Sequence, residues 1–520
     1  MSQRPFGTSL PLLGYACFVA ALFLLVRGYQ FNTNDQAEHL PQIYQLLDAE
    51  LYPVDYFVNA TNSIFTVRYY YEHFVLVVSK TIGLEWGLFV LTFLCIALIA
   101  YSFARIAEKL FANRWSVLLA PVFAIIVFYG FTVGGNHVMY GSFISSTVAK
   151  SISAFALLQF VRSRMVFAGI ILGIAALFQP LVGLQLFLIL TGIELLVKRN
   201  LKLTVSLIAS FLAIAMFILV PVFSRQFAEG VLFDKELYYE ILYRFRNHHH
   251  YLPSLFPTTH YIKFGGLLVL GLISYFLVKP NDKEFYPGLV GFGLLGMLVY
   301  WVGLEHLNIH QLGKVQWFKI TVWIGAFSSI MIAGFVGQFL SGFIPLTQLR
   351  KHLFPSSFFL SICLLFSITN SKFLPEAYQH KYMVGNRVYS DLENMHFWIE
   401  KNTDLDVSVL ISPDNNLFPC QAKRSVPIHF QAIIHEPFFM MPWYDDYREI
   451  YGVSIENLEG IDARKAAVDK FHTRNYRGVR KHIDYRLDNL ETCQFVDELG
   501  SIIHQEGSWV LTEFKSINTI

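Results

Sequence analysis

The sequence predicts a polytopic α-helical membrane protein of about eleven transmembrane helices, with a small external α/β domain at its C-terminal end. Three observations predict it. Hydrophobic residues make up 54% of the 520 positions and charged ones only 15%, against roughly a quarter charged in soluble domains. Apolar stretches near the length of a bilayer crossing recur from residue 10 to residue 370. Beyond 371 the chain turns polar and the stretches stop. A net charge of +2 leaves no basic field that would point to nucleic acid as a partner. Five cysteines without CxxC or Cys/His spacing argue against a disulfide framework or structural zinc.

A hydrocarbon core of about 30 Å takes about 20 apolar residues in a helix. The first stretch, 10–29, has no small-residue cleavage site after it and reads as an uncleaved span. Others run near 84–104, 115–133, 143–161, 165–179, 181–197, 203–224, 263–279, 286–304, 317–340 and 355–370. Pro180 marks either a tight turn or a kink between two short members. Cations cluster at Arg105/Lys109/Arg114, Arg162/Arg164, Lys198/Arg199/Lys202, Lys279/Lys283 and Arg350/Lys351. With an odd span count these loops share the side of the N-terminus, which the positive-inside rule makes cytoplasmic. Segments 30–83, 134–142, 225–262, 305–316 and everything after 371 fall outside. The transmembrane domain is therefore 1–370 and the external domain 371–520.

Within the first external loop, 38–51 reads as an amphipathic helix with Leu40, Ile43, Leu46 and Leu47 on one face. Residues 64–82 carry Arg68, Glu72, His73 and Lys80 beside Tyr69, Tyr70 and Tyr71, as an interfacial helix would. In the tail, 390–401 reads as a helix, and 406–412, 426–432 and 508–514 as strands. Cys420 and Cys493, the two cysteines off the lipid in this topology, either pair or stay as buried thiols.

Three clusters could carry chemistry. Asp35, Glu38, His39 and Gln42 lie at helical offsets of zero, three, four and seven, which puts them on one face. That face could supply a general base or hold a divalent cation; equally, Asp35 could cap the helix with Glu38 closing a capping box. The run Arg244, Arg246, His248, His249 and His250 could bind a phosphate through charge-assisted hydrogen bonds. Three adjacent histidines cannot all face one metal from a regular element. In 305–316, His306 and His310 would share a helical face, with Lys314 within reach of a phosphate. Solvated interfacial packing explains the last two clusters as well. Lys150 and Glu194, inside spans, sit near span ends and can snorkel. No GxSxG, Walker A, HExxH or dinucleotide fingerprint survives a context check.

A resemblance enters through the order of these features. A first span is followed by a loop with an early acid, Asp35. An aromatic-rich juxtamembrane segment then leads through Gly83-Leu84-Glu85-Trp86 into the second span, which ends in the basic stretch 103–111. Over about residues 10–135 this pattern resembles the GT-C glycosyltransferases, notably the bacterial relatives of protein O-mannosyltransferases and the aminoarabinose transferases of lipid A. The resemblance implies a sugar donor on a polyprenyl phosphate, an external active site with Asp35 at the matching acidic position, an acceptor of unspecified chemistry, and a place in the bacterial inner membrane. The other readings are a transporter or lipid-handling protein, for which no internal repeat speaks, and a cell-envelope scaffold.

Overall fold

The computed structural model describes residues 10–228, 233–343, 350–458, 462–474, 476, 479, 481–493 and 500–514. The chain forms two compact units, each gathered from three stretches of sequence: Met1–Gln30, Ile82–Ser224 and His249–Arg387 in the first, Phe31–Thr81, Arg225–His248 and Val388–Ile520 in the second.

The first unit is helical, and a helix lies over every apolar stretch of the sequence. Among the described residues six helices are long and apolar enough to cross a membrane, and four further apolar helices are shorter, of 10–17 residues. Ser145–Val161 falls in neither group because hydroxyl side chains and Lys150 dilute its apolar surface. Thr321–Ser341 is buried along most of its length and packs on Thr258–Val278 and Arg114–Val122. Small residues permit that approach: Ser116 donates to the Gly334 carbonyl at 3.3 Å. Pro180 makes a break, not a kink. Met165–Phe178 ends, Gln179 is extended, and Pro180 occupies the first turn of Pro180–Gly192. The two helices fold back so closely that a Cβ on Gly183 would lie 2.7 Å from the Ala176 nitrogen.

Segment 371–387, assigned by composition to the external domain, belongs to the first unit. Its Tyr382 hydroxyl donates to the Leu25 carbonyl at 2.7 Å, and Tyr29 and Tyr382 form a bridge.

The second unit carries a four-stranded sheet in the order β1-β2-β4-β3, with β1 Val409–Leu410, β2 Tyr485–Asn489, β3 Ile502–Glu506 and β4 Trp509–Glu513. β1 runs parallel to β2, and the other pairs are antiparallel. Asp391–Asn402, started by a Ser390/Glu393 capping box, lays Met395 and Ile399 against Val409, Leu487 and Leu511. The strand expected at 426–432 is absent. There the His429 Nδ1 accepts from the backbone N–H of Gln431 at 3.1 Å and Ala432 at 2.8 Å, satisfying donors that a ladder would use. The strand expected at 406–412 shrinks to β1. Cys420 and Cys493 do not pair; both are buried thiols, and Cys420 faces the Gln36 carbonyl at 3.7 Å.

Gly183→Leu should cost about 1–3 kcal/mol by forcing the hairpin apart. A lowered thermal midpoint of the purified protein in detergent checks it, with Leu188→Ala on the exposed side leaving the midpoint in place.

Candidate functional site

The acidic cluster is not a single helical face. Asn34–Glu38 is a 3-10 turn, and a separate α-helix, Leu40–Leu47, follows with Pro41 in its first turn. Leu40 and Ile43 are buried, whereas Leu46 and Leu47 are exposed. The residue before the 3-10 turn is Thr33, and no side chain caps it, so Asp35 closes no capping box with Glu38. The change of helical pitch at His39 separates the side chains instead. Asp35 faces outward; His39 and Gln42 turn into the interior of the second unit.

That interior is charged. Arg68, just ahead of the Tyr69–Ile82 helix, forms an ion pair with Glu38 and donates to the Ile433 carbonyl at 3.2 Å, with the Phe57 ring 5.5 Å from its guanidinium carbon. Burial raises the Glu38 carboxyl above its ordinary value, Arg68 opposes that, and Asp35 adds to it. His39 lies 3.9 Å from Glu72 and 4.7 Å from the Tyr71 ring. Burial, and then Arg68, push the His39 imidazole well below its usual range, so it is neutral. The Gln42 carboxamide donates to Glu72 and accepts from the Thr61 hydroxyl at 2.6 Å. Burial lifts Glu72 to about 8, against the pull of Arg68.

Asp35 is tied to the unit by one contact from a distant residue: Gln431 Nε2 donates to its Oδ1 at 3.4 Å. The backbone carbonyl of the same Gln431 accepts from Arg246 at 2.8 Å, and the Arg246 guanidinium also bonds Asn247 at 2.8 Å and stacks over Phe430. Asp35 and Arg246 are therefore linked through the two ends of Gln431, Glu38 pairs with Arg68, and the Arg246 charge also lowers Glu38.

The remaining candidates lie elsewhere. Arg244 is exposed and pairs with Glu240 at 3.4 Å. His248 faces Asp462 at 3.6 Å. His249 and His250 belong to the first unit, where their rings lie 4.1 Å apart, tilted at 46°, and His250 Nδ1 meets the Gly134 carbonyl at 3.3 Å. His306 and His310 share no helical face. A π-turn ends at His306 and a 3-10 turn begins at His310, with Asn308 between them at a φ of +54°. His306 packs against Trp301, while Glu305 bonds the Ser254 N–H at 3.0 Å. Lys314 sits in that 3-10 turn, in the first unit. Lys150 and Glu194 do not snorkel. Lys150 is 4% exposed with its ammonium on the His137 carbonyl, and Glu194 is 1% exposed beside Lys198. Among the described residues no three His, Cys, Asp or Glu side chains converge as a metal site needs. The sequence reading missed the roles of Arg68, Glu72 and Gln431 because each partner lies far away along the chain.

No protein-family model and no curated protein sequence matches this chain. Among solved structures it is similar to ArnT from Cupriavidus metallidurans, determined in the apo state, with 13% identity, coverage of 95% of each chain and a TM-score of 0.38. At that TM-score the likeness carries no argument about what this chain does.

The buried acid has a consequence for pH. The folded Glu72 value, about 8, lies above the unfolded value of about 4.3. Its contribution to stability is thus fully present below the unfolded value and lost as pH rises through the folded one. The slope is at most about 1.4 kcal/mol per pH unit. Unfolding midpoints measured from pH 5 to 9 should fall more steeply for the wild type than for Glu72→Gln. Parallel profiles would mean that Glu72 titrates normally.

Proposed function

We propose that the chain is a membrane glycosyltransferase of the GT-C kind, moving a sugar from a polyprenyl-phosphate donor to an acceptor hydroxyl on the external face. The sequence resemblance over residues 10–135 supports the class. The observation that carries the reading is the link from Asp35 through Gln431 to the Arg246 cation, the Gln431 side chain donating to Asp35 and its carbonyl accepting from Arg246, beside a Glu38 that is already engaged by Arg68. Two carboxylates in unlike surroundings take unlike roles.

In this reading Asp35 accepts the proton of the acceptor hydroxyl as its oxygen attacks the anomeric carbon. The bond from that carbon to the phosphate oxygen breaks, and polyprenyl phosphate leaves. Arg246 supplies positive potential toward the departing phosphate, while Glu38, neutralised by Arg68, holds the turn that carries Asp35. Arg244, His248, His249, His250, His306, His310 and Lys314 are further candidates for contact with the lipid-linked donor. The N-terminus is cytoplasmic and the second unit external, in a bacterial inner membrane.

The test is release of polyprenyl phosphate from a panel of polyprenyl-phosphate sugars by reconstituted protein. Asp35→Asn should insert and melt as the wild type does yet lose about 10²–10⁴ in rate. Glu38→Gln should lose less. Near-normal turnover by Asp35→Asn would remove the catalytic role.

A further inference from the structure

Within the second unit, the backbone of 429–435 is held by side chains rather than by a ladder. The His429 carbonyl accepts from the Trp443 indole at 3.0 Å, and the Gln431 carbonyl from Arg246 at 2.8 Å. The Ile433 carbonyl accepts from Arg68 at 3.2 Å, and the His435 carbonyl from the Tyr238 hydroxyl at 3.0 Å. Every second carbonyl of the run is thus tied to a different side chain. This fixed run is the frame against which Arg246 is placed.

Arg246 reaches that frame from a π-turn, Ile241–Arg246, which continues the helix Lys235–Glu240. Phe245 anchors the turn edge-on against Tyr444 and Tyr447, with ring centres 5.1 and 5.6 Å away. The guanidinium then meets three neutral partners. Nη2 donates to the Gln431 carbonyl, Nη1 donates to Asn247 Oδ1 at 2.8 Å, and the Phe430 ring centre lies 4.5 Å from the guanidinium carbon. Asn247 is 5% exposed, and its carboxamide has one orientation that satisfies both neighbours. A guanidinium can only donate, so Oδ1 faces Arg246 and Nδ2 faces His435 Nε2, 3.0 Å away. That Nε2 accepts, which puts the ring proton on Nδ1. Arg246, Asn247 and His435 therefore form a relay with a single hydrogen-bond direction, and it ends on a residue whose own backbone is fixed.

We propose that Asn247 is a positioning residue, which aims the Arg246 guanidinium with a neutral oxygen while His435 locks the Asn247 amide. The inference rests on the transferase reading, in which Arg246 faces the departing phosphate. A carboxylate at position 247 would orient the guanidinium equally well but would offset its charge, as Glu38 does for Arg68. Asn247 gives direction and leaves the positive charge for the substrate. Negative charge grows on the phosphate as its oxygen parts from the anomeric carbon. An aimed cation therefore acts on kcat more than on KM.

The test measures kcat and KM of full-length protein in nanodiscs, with the polyprenyl-phosphate sugar of the panel that the wild type turns over fastest. Asn247→Leu, which removes the acceptor, and Asn247→Asp, which keeps it and adds a charge, should each lower kcat about ten- to a hundredfold. KM should change little in both. In an Arg246→Met background, adding Asn247→Leu should slow the enzyme no further, because the residue acts through the missing cation. A merely structural role would instead give losses that multiply in that cycle. Multiplying losses, or wild-type kcat in both Asn247 variants while Arg246→Met is slow, overturn the inference and leave the transferase reading standing. Arg246→Met as fast as the wild type removes the phosphate role of Arg246 and this inference with it. Failure of the wild type on the whole panel overturns the transferase reading itself, and the inference falls too.

Discussion

Arg68 brings a permanent charge into the second unit, at a point where little water follows it. Left alone there, a guanidinium would be strongly destabilising, and so would the Glu38 carboxylate that it meets. Paired, they hold each other, and the same Arg68 Nη2, donating also to the Ile433 carbonyl, fixes where 34–47 sits against 429–434. The positions of Asp35, Gln431 and Arg246 follow from that tie. So does the neutral state of His39, which burial and the nearby guanidinium both enforce. Glu72, one helical turn beyond Arg68, takes the opposite solution and is held as the uncharged acid. Arg68 thus favours the charged Glu38 and disfavours a charged His39, while burial keeps Glu72 an uncharged acid against the pull of the same cation.

In the proposed reading the same environment divides the roles of the two acids. Of the two acids in the 3-10 turn, Glu38 is committed to Arg68, whereas Asp35 accepts a hydrogen bond from Gln431 at 3.4 Å and faces outward. A carboxylate that must take up a proton cannot also be the counterion of a buried arginine. The first unit treats charge differently. Lys109, Lys198 and Lys279 lie at helix C-terminal ends, where the backbone dipole favours a cation.

Much of the helical unit was legible in the sequence because bilayer-length apolar runs leave little choice of structure. The 390–401 helix, with its Ser390 and Glu393, was legible for equally local reasons, and Pro180 marked an interruption whose form, turn or kink, the sequence left open. What failed depended on distant partners. Strand β2 is hidden by its charges: Arg486 and Asp488 form a buried pair at 2.7 Å on it, and polar residues in sequence read as surface. The segment 426–432 has the composition of a strand, yet the His429 imidazole captures two of its amides. His306 and His310 have helical spacing, yet Asn308 in a left-handed conformation breaks the helix between them. For the candidate site, Asp35, Glu38 and Arg246 were each visible as chemistry-bearing residues. Their juxtaposition through Gln431 was not, since no local rule joins residues 35, 246 and 431.

The most direct test of this account is hydrogen exchange on the full-length Arg68→Met protein in detergent, beside the wild type and the double variant with Glu38→Gln. Removing one partner of a buried pair costs about 3–5 kcal/mol, whereas replacing both by neutral groups costs far less. Amides of 34–47 and 429–434 should exchange faster in Arg68→Met and recover in the double variant, while those of the Asp391–Asn402 helix stay protected throughout. Unchanged exchange in 34–47 and 429–434 would contradict the claim that Arg68 holds the candidate site together.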